Sequence, residues 1–212
     1  MNILAATINL PLLDKEKALV ETQSVDERYW FYDTYRHTTM LPVMTMGGEM
    51  GEKGASNFRE KKSFQWTPYA PQTLVDWFEH SVFPWMGMRT RISILKTHPG
   101  QRNHEHIDCS PQAFGSRQHK FRVVLKGRTD SLYFVSKFSP IRMFNCDTPF
   151  IMDGSWPHGM HNFTNEEKYT VAVGAPWSGL DNYNNLGPHI ILRNPILLPE
   201  DLKRYYDQRY FK

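Results

Sequence analysis

Between residues 89 and 175 the chain is divided into short apolar segments, and this pattern limits the fold more than any other feature. Each segment is bounded by Gly, Pro, Asn or Asp, which is typical of short β-strands joined by tight turns. The eight predicted strands are 89–97, 103–108, 119–126, 131–136, 141–146, 150–152, 157–162 and 168–175. Eight short strands at this spacing predict a mainly β fold, a jelly roll or a small β-barrel.

Helical patterns precede this region. Residues 14–23 and 72–83 have the spacing of amphipathic helices, and in the second segment Leu74, Phe78 and Val82 recur every four residues. We therefore expect helices to pack against the outside of the β-rich core.

The remaining segments complete the predicted organisation. The Gly-rich residues 46–56 predict a loop, and residues 199–211 predict a closing helix. We expect a single domain, because 212 residues are the size of one core. Its three parts are an N-terminal helical and loop region that packs on the barrel and contributes to the substrate pocket (1–88), a jelly-roll core (89–177) and a C-terminal extension (178–212).

Composition excludes several classes of function. The formal net charge is +3 without a long basic run, so we expect no nucleic-acid partner. The two cysteines, Cys109 and Cys146, do not make a disulfide framework and favour a reducing, cytoplasmic location. No apolar stretch approaches membrane-spanning length, so we expect no membrane association. The oligomeric state is left open.

Six of the nine histidines lie between residues 98 and 161, and they are the main candidates for chemistry. His104, His106 and Asp108 would share one face of a strand, because strand side chains alternate between faces. His158 and His161 form a second, distant pair. A jelly roll can bring such strands together, and two imidazoles with one carboxylate are the ligand set of non-haem Fe(II) oxygenases.

Three motifs carry a family resemblance. The segments "HPGQRNHEHID" (98–108), "DGSWPHGMHNFTNEEK" (153–168) and "VGAPW" (173–177) together resemble the aspartyl/asparaginyl β-hydroxylase-like branch of the Fe(II)/2-oxoglutarate dioxygenases. The resemblance covers roughly residues 90–177. It implies a double-stranded β-helix, another name for this jelly roll, with iron as the metal and 2-oxoglutarate and O2 as cosubstrates.

The resemblance also implies the metal ligands. His106 and Asp108 match its H-x-D motif, and His158 matches the distal histidine of its D-x-S-aromatic-x-H segment. These three residues are therefore the predicted ligands and the catalytic centre. His104 and His161 are predicted to lie outside the ligand set.

The same resemblance implies residues that bind 2-oxoglutarate. Lys168 stands ten residues after His158, where the family places the cation for the 5-carboxylate. This branch usually has Arg there, whereas prolyl 4-hydroxylases resemble this chain in having Lys. Thr170 would add a hydroxyl on the same strand face. For the other carboxylate Arg122 is the first candidate and His119 the second, with Arg117 also possible.

The implied activity is hydroxylation of an unactivated C–H bond with release of succinate and CO2. The substrate would be a small molecule, such as an amino acid, or a residue within a peptide. A cupin-type metal site built on His104 and His106, a zinc hydrolase and a non-catalytic jelly-roll binding module are the alternatives.

Overall fold

The computed structural model describes residues 3–34, 37–56, 63–86, 89–108, 118–174, 177–178 and 192–210. Strands are the main elements of this part of the chain. They are β1 (Ile3–Ile8), β2 (Phe31–Asp33), β3 (Thr38–Met46), β4 (Phe64–Trp66), β5 (Ile92–Thr97), β6 (Gln118–Lys126), β7 (Leu132–Phe134), β8 (Ile141–Arg142), β9 (Phe150–Asp153), β10 (His158–Met160), β11 (Lys168–Val173), β12 (Trp177–Ser178) and β13 (Leu192–Leu197). The helices are α1 (Lys15–Gln23), α2 (Gly51–Ser56), α3 (Gln72–Trp77), α4 (Phe83–Met86) and α5 (Glu200–Tyr210).

Two antiparallel sheets form the core. The main sheet has the order β13-β1-β9-β6-β11-β5-β3-β2, with β12 on β6 and β4 on β3, and the smaller sheet has the order β10-β7-β8. Phe134 of the smaller sheet packs in one apolar cluster with Leu4, Phe150 and Met152 of the main sheet. The predicted mainly β jelly roll with flanking helices is therefore confirmed.

Helices cover the outer face of the main sheet. Leu74, Trp77 and Phe78 of α3 and the adjoining π-helical turn are buried against Phe121 of β6, and Ala18 of α1 joins the same cluster. The apolar four-residue spacing in this segment thus faces the sheet, as amphipathic helices do. Among the described residues, no helix is both long enough and apolar enough to cross a membrane.

The N-terminal region differs from its prediction, because it supplies strands as well as helices. β1 lies between β13 and β9, and β3 pairs with β5 in the main sheet. The expectation of only helix and loop before residue 89 was wrong in this respect. Pro42 lies inside β3, where the ladder is irregular between Pro42 and Met44. Proline normally argues against a strand interior because it lacks the N–H donor.

Two smaller predictions are also corrected. Residues 103–108 do not form a continuous strand; only isolated bridges join Arg102 to His161 and His106 to His158. The segment 46–56 is not all loop, because α2 forms its second half.

Candidate functional site

Three potential metal-ligand atoms meet between the two sheets. His106, Asp108 and His158 each offer one ligand atom, and these atoms all lie within 4.8 Å of one another. The Nε2 atoms of His106 and His158 lie 3.5 and 3.3 Å from the Asp108 carboxylate oxygens. The family resemblance had implied these three residues as ligands, and the fold brings them together.

Hydrogen bonds on the far side of both imidazoles orient the rings. Nδ1 of His106 lies 2.7 Å from the carbonyl oxygen of His104, and Nδ1 of His158 lies 2.8 Å from that of Trp156. A carbonyl can only accept, so each Nδ1 carries the donated proton. Each ring then presents its Nε2 atom to Asp108. Two Nε2 atoms and a carboxylate in one place can share protons or bind a metal ion.

Asp108 is held as an anion. Burial alone would raise the pKa of its carboxyl, but His106, His158 and the charge of Lys120 more than offset burial and hold the pKa well below its usual value. Nζ of Lys120 lies 2.6 Å from Asp108 Oδ2. An ionised, nearly buried carboxylate is suited to bind a cation.

Backbone contacts place these side chains. His106 and His158 exchange two backbone hydrogen bonds of 3.0 Å, and the Asp108 N–H donates to the carbonyl of Gly154 at 2.7 Å. A Cβ on Gly154 would lie 2.9 Å from Asp108 Oδ2, so only glycine leaves room for the carboxylate. Ser155 donates through both its N–H and its hydroxyl to Asp153, which forms the turn before β10.

A cleft extends from this cluster between the sheets, and Lys168 lies at its buried end. The Lys168 ammonium donates to Ser131 Oγ. Burial lowers the pKa of Lys168 to about 7, although the charge of Asp130 opposes this shift. Gly127 has a φ of +99°, and a Cβ there would lie 2.9 Å from Lys168 Cγ. Gly127 thus gives the lysine stem the room to lie buried.

Three polar side-chain atoms line the cleft and are buried without a hydrogen-bond partner among the described residues. They are Thr170 Oγ1, Ser93 Oγ and Asn103 Oδ1. A buried polar atom left unpaired costs roughly 1–3 kcal/mol. Such atoms around one cleft therefore indicate a polar ligand that completes their hydrogen bonds.

The two candidates for the second carboxylate lie on opposite faces of β6. Arg122 lines the cleft and donates to the carbonyl of Val173 at 2.9 Å. His119 is buried on the other face, where its Nε2 lies 3.3 Å from the carbonyl of Ile3. His119 therefore does not line the cleft, because residues an odd number apart on a strand face opposite ways. Arg117 lies outside the described residues.

His104 and His161, which were predicted to lie outside the ligand set, lie outside the cluster. His104 is exposed, with its ring edge-on to His37 at 4.3 Å. His161 is half-buried and lies edge-on to Phe163. The ligand arrangement is therefore not the H-x-H of a cupin.

Sequence reasoning missed several further residues of the cleft, among them Lys120, Arg91 and Ser93. Lys120 precedes Arg122 by two residues on β6 and so shares its face, a signal that spacing could have revealed. Arg91 and Ser93 line the cleft from β5 and its preceding residue. They belong to no motif, and only the folded arrangement shows them.

Comparison with known proteins supports the fold. No family model matches the sequence, and no curated protein matches it significantly. The chain is similar to an oxidoreductase of the 2OG-Fe(II) oxygenase family from Burkholderia pseudomallei, with a TM-score of 0.51 and 10% identity, covering 82% of this chain and 87% of that chain. It is also similar to a prolyl-4-hydroxylase from Pseudomonas putida, with a TM-score of 0.44 and 11% identity, covering 79% and 90%. At such low identity the first likeness shows a shared fold alone.

Proposed function

We propose that this chain is an Fe(II)- and 2-oxoglutarate-dependent dioxygenase that hydroxylates an unactivated C–H bond and releases succinate and CO2. The observation that carries the proposal is the convergence of two imidazole Nε2 atoms and an ionised carboxylate at one point of the cleft. Two histidines and one carboxylate on one side of an iron ion leave its other positions open for ligands. The sequence motifs favour the aspartyl/asparaginyl β-hydroxylase-like branch.

In this proposal His106, Asp108 and His158 hold the iron. The Nδ1 bonds to backbone carbonyls fix both rings, and Lys120 holds the second oxygen of Asp108. Such outer hydrogen bonds set the orientation of a ligand and its affinity for the metal. Iron and 2-oxoglutarate, when bound, supply the oxidising chemistry, while the chain orients the reactants and limits access of water.

The buried end of the cleft would bind 2-oxoglutarate. Lys168 supplies a cation for the 5-carboxylate, and the Thr170 hydroxyl, which has no hydrogen-bond partner in the described part of the chain, lies on the same face of β11. Arg122 supplies a second cation beside Ala172, its partner on β11, and is the candidate for the 1-carboxylate. A charged donor to a carboxylate contributes roughly 1.5–3 kcal/mol.

The substrate would enter between the two sheets. It would be a small molecule, such as an amino acid, or a residue of a peptide. The N-terminal region would contribute to the substrate pocket, and Met40 of β3 supports this role because its side chain lines the cleft. We retain the division into residues 1–88, 89–177 and 178–212 as part of this proposal, within one domain.

The experiment is anaerobic loading with Fe(II) and 2-oxoglutarate, followed by exposure to O2 with a panel of amino acids and peptides. We expect succinate release that depends on both the metal and one class of substrate. Removal of the metal with a chelator should abolish it. A non-catalytic binding module would release no succinate under any of these conditions, and that result would contradict the proposal.

A further inference from the structure

The open end of the cleft has its own polar pair, distinct from the buried end. Arg91 and Ser93 are two residues apart, and both line the cleft beside β11. Ser93 pairs with Ala172, and the Gly174 N–H donates to the carbonyl of Arg91 at 2.8 Å. Arg91 is half-buried, whereas Lys168 at the other end is only 2% exposed.

Small residues leave room beside this pair. Ala172 and Gly174 occupy the cleft face of β11 here, whereas Lys168 and Thr170 occupy the same face at the buried end. Gly174 lies about 13 Å along the strand from Thr170, at about 3.3 Å per residue. A ligand group can therefore approach the β11 backbone at this end without displacing a long side chain of that strand.

The chemistry of the pair suits an anionic oxygen group. Ser93 is 2% exposed, and its hydroxyl has no hydrogen-bond partner among the described residues. The Arg91 guanidinium offers a planar fork of donors that matches a carboxylate. One buried hydroxyl and one guanidinium thus lie on the same strand face, and together they suit a carboxylate.

We infer that Arg91 and Ser93 bind the α-carboxylate of the substrate, which is therefore a small free acid such as an amino acid. This inference rests on the proposed function, because that function assigns Lys168 and Thr170 to the cosubstrate. It selects a free acid over an internal peptide residue, whose α-carboxyl group is part of an amide and carries no charge.

The test uses the full chain loaded anaerobically with Mn²⁺ and saturating 2-oxoglutarate, so that binding is measured without turnover. Free L-amino acids and their carboxamides are titrated in turn by calorimetry. We expect at least one acid to bind about tenfold or more tightly than its amide. Arg91→Gln should lower the affinity for that acid by about ten- to a hundredfold, and Ser93→Ala should lower it severalfold. The affinity for 2-oxoglutarate should be unchanged in both variants.

Arg89→Gln is the matched control, because this substitution removes the same charge outside the cleft. Arg89 pairs there with Glu79 at 2.6 Å. This variant should leave acid binding intact. Ser93→Ala decides the question if Arg91→Gln does not fold. Equal binding of acids and amides, no binding of any acid, or equal losses in the Arg89 and Arg91 variants would overturn the inference.

The first titration separates this inference from the proposed function. If the Mn²⁺-loaded chain does not bind 2-oxoglutarate, the proposed function fails. If it binds 2-oxoglutarate but the acids behave as their amides do, only the substrate inference fails. Loss of 2-oxoglutarate affinity in Arg91→Gln would make Arg91 a cosubstrate residue and would also overturn the inference.

Discussion

The two faces of the main sheet are built from the same strands but have opposite chemistry. On β6, Phe121 and Val123 point toward the helices and are fully buried in an apolar cluster. Lys120 and Arg122 alternate with them and point into the cleft. One face is packed as a core, whereas the other carries cations and hydroxyls in a partly buried place.

The difference between the two faces shows which residues lower the stability of the folded chain. An apolar face gains free energy from burial, whereas buried Lys168, Thr170 and Ser93 cost free energy until a ligand binds them. Polar groups in such a position are expected at binding sites rather than in structural cores. Changes on the core face should therefore reduce stability alone, and changes on the cleft face should reduce binding.

Phe121→Ala should have the largest effect on stability. Its ring is fully buried and lies about 6 Å from the rings of Trp77, Phe78 and Trp85. Truncation leaves a cavity, so we expect the free energy of unfolding to fall by about 3–5 kcal/mol in urea titrations. Affinity for 2-oxoglutarate, measured where the variant is folded, should stay the same. A parallel loss of affinity would mean that the two faces are not independent.

Lys168→Met should instead raise stability and weaken 2-oxoglutarate binding. At pH 7 and below, the folded chain carries the cost of a charged, buried amine, whereas the unfolded chain has its ordinary pKa of 10.5. Wild-type stability should therefore rise with pH between about 7 and 10.5. Methionine removes that cost, so the melting temperature at pH 7 should rise by at least about 2 °C.

The same variant should weaken 2-oxoglutarate binding by about ten- to a hundredfold, because it loses a charge-assisted bond. Calorimetry on the metal-loaded protein measures this, and metal affinity serves as the control. A lower melting temperature with unchanged cosubstrate affinity would instead make Lys168 a structural residue.

The smallest effect concerns pH. Burial lowers the pKa of Lys168 to about 7, and a bound carboxylate stabilises the ammonium and raises that pKa. Binding therefore takes up a proton above pH 7, and affinity for 2-oxoglutarate should fall as pH rises, by at most about tenfold per pH unit. Lys168→Met should have a flatter profile between pH 6.5 and 9. Identical slopes in both proteins would show that other groups titrate.

Sequence spacing was sufficient to predict much of this fold, and the family resemblance was sufficient to name the residues of the cluster. Turn residues mark the strands of the core, and the H-x-D and distal histidine motifs name three side chains that do converge. Each of these signals lies within a short segment of the chain, so it can be recognised without the structure.

The errors arose where long-range pairing decides the structure. β3 contains Pro42, and proline normally argues against a strand interior because it has no N–H to donate. The ladder between β3 and β5 is irregular beside this residue. Arg122 was the first candidate and His119 the second, and only the pairing of β6 with β9 and β11 shows which of the two faces lines the cleft. The contact of Lys120 with Asp108 depends on the folded positions of two separate segments.

The most direct test of the account is metal binding by a matched pair of histidine variants. His106 and His104 are two residues apart, and the bond that orients His106 uses the backbone carbonyl of His104, which alanine keeps. We expect the wild type and His104→Ala to bind one Fe(II) per chain under anaerobic conditions with similar affinity. His106→Ala should bind it at least about a hundredfold more weakly, because this variant loses a metal ligand, whereas His104→Ala loses only a side chain outside the ligand set. Loss of iron in His104→Ala with retention in His106→Ala would contradict the proposed site.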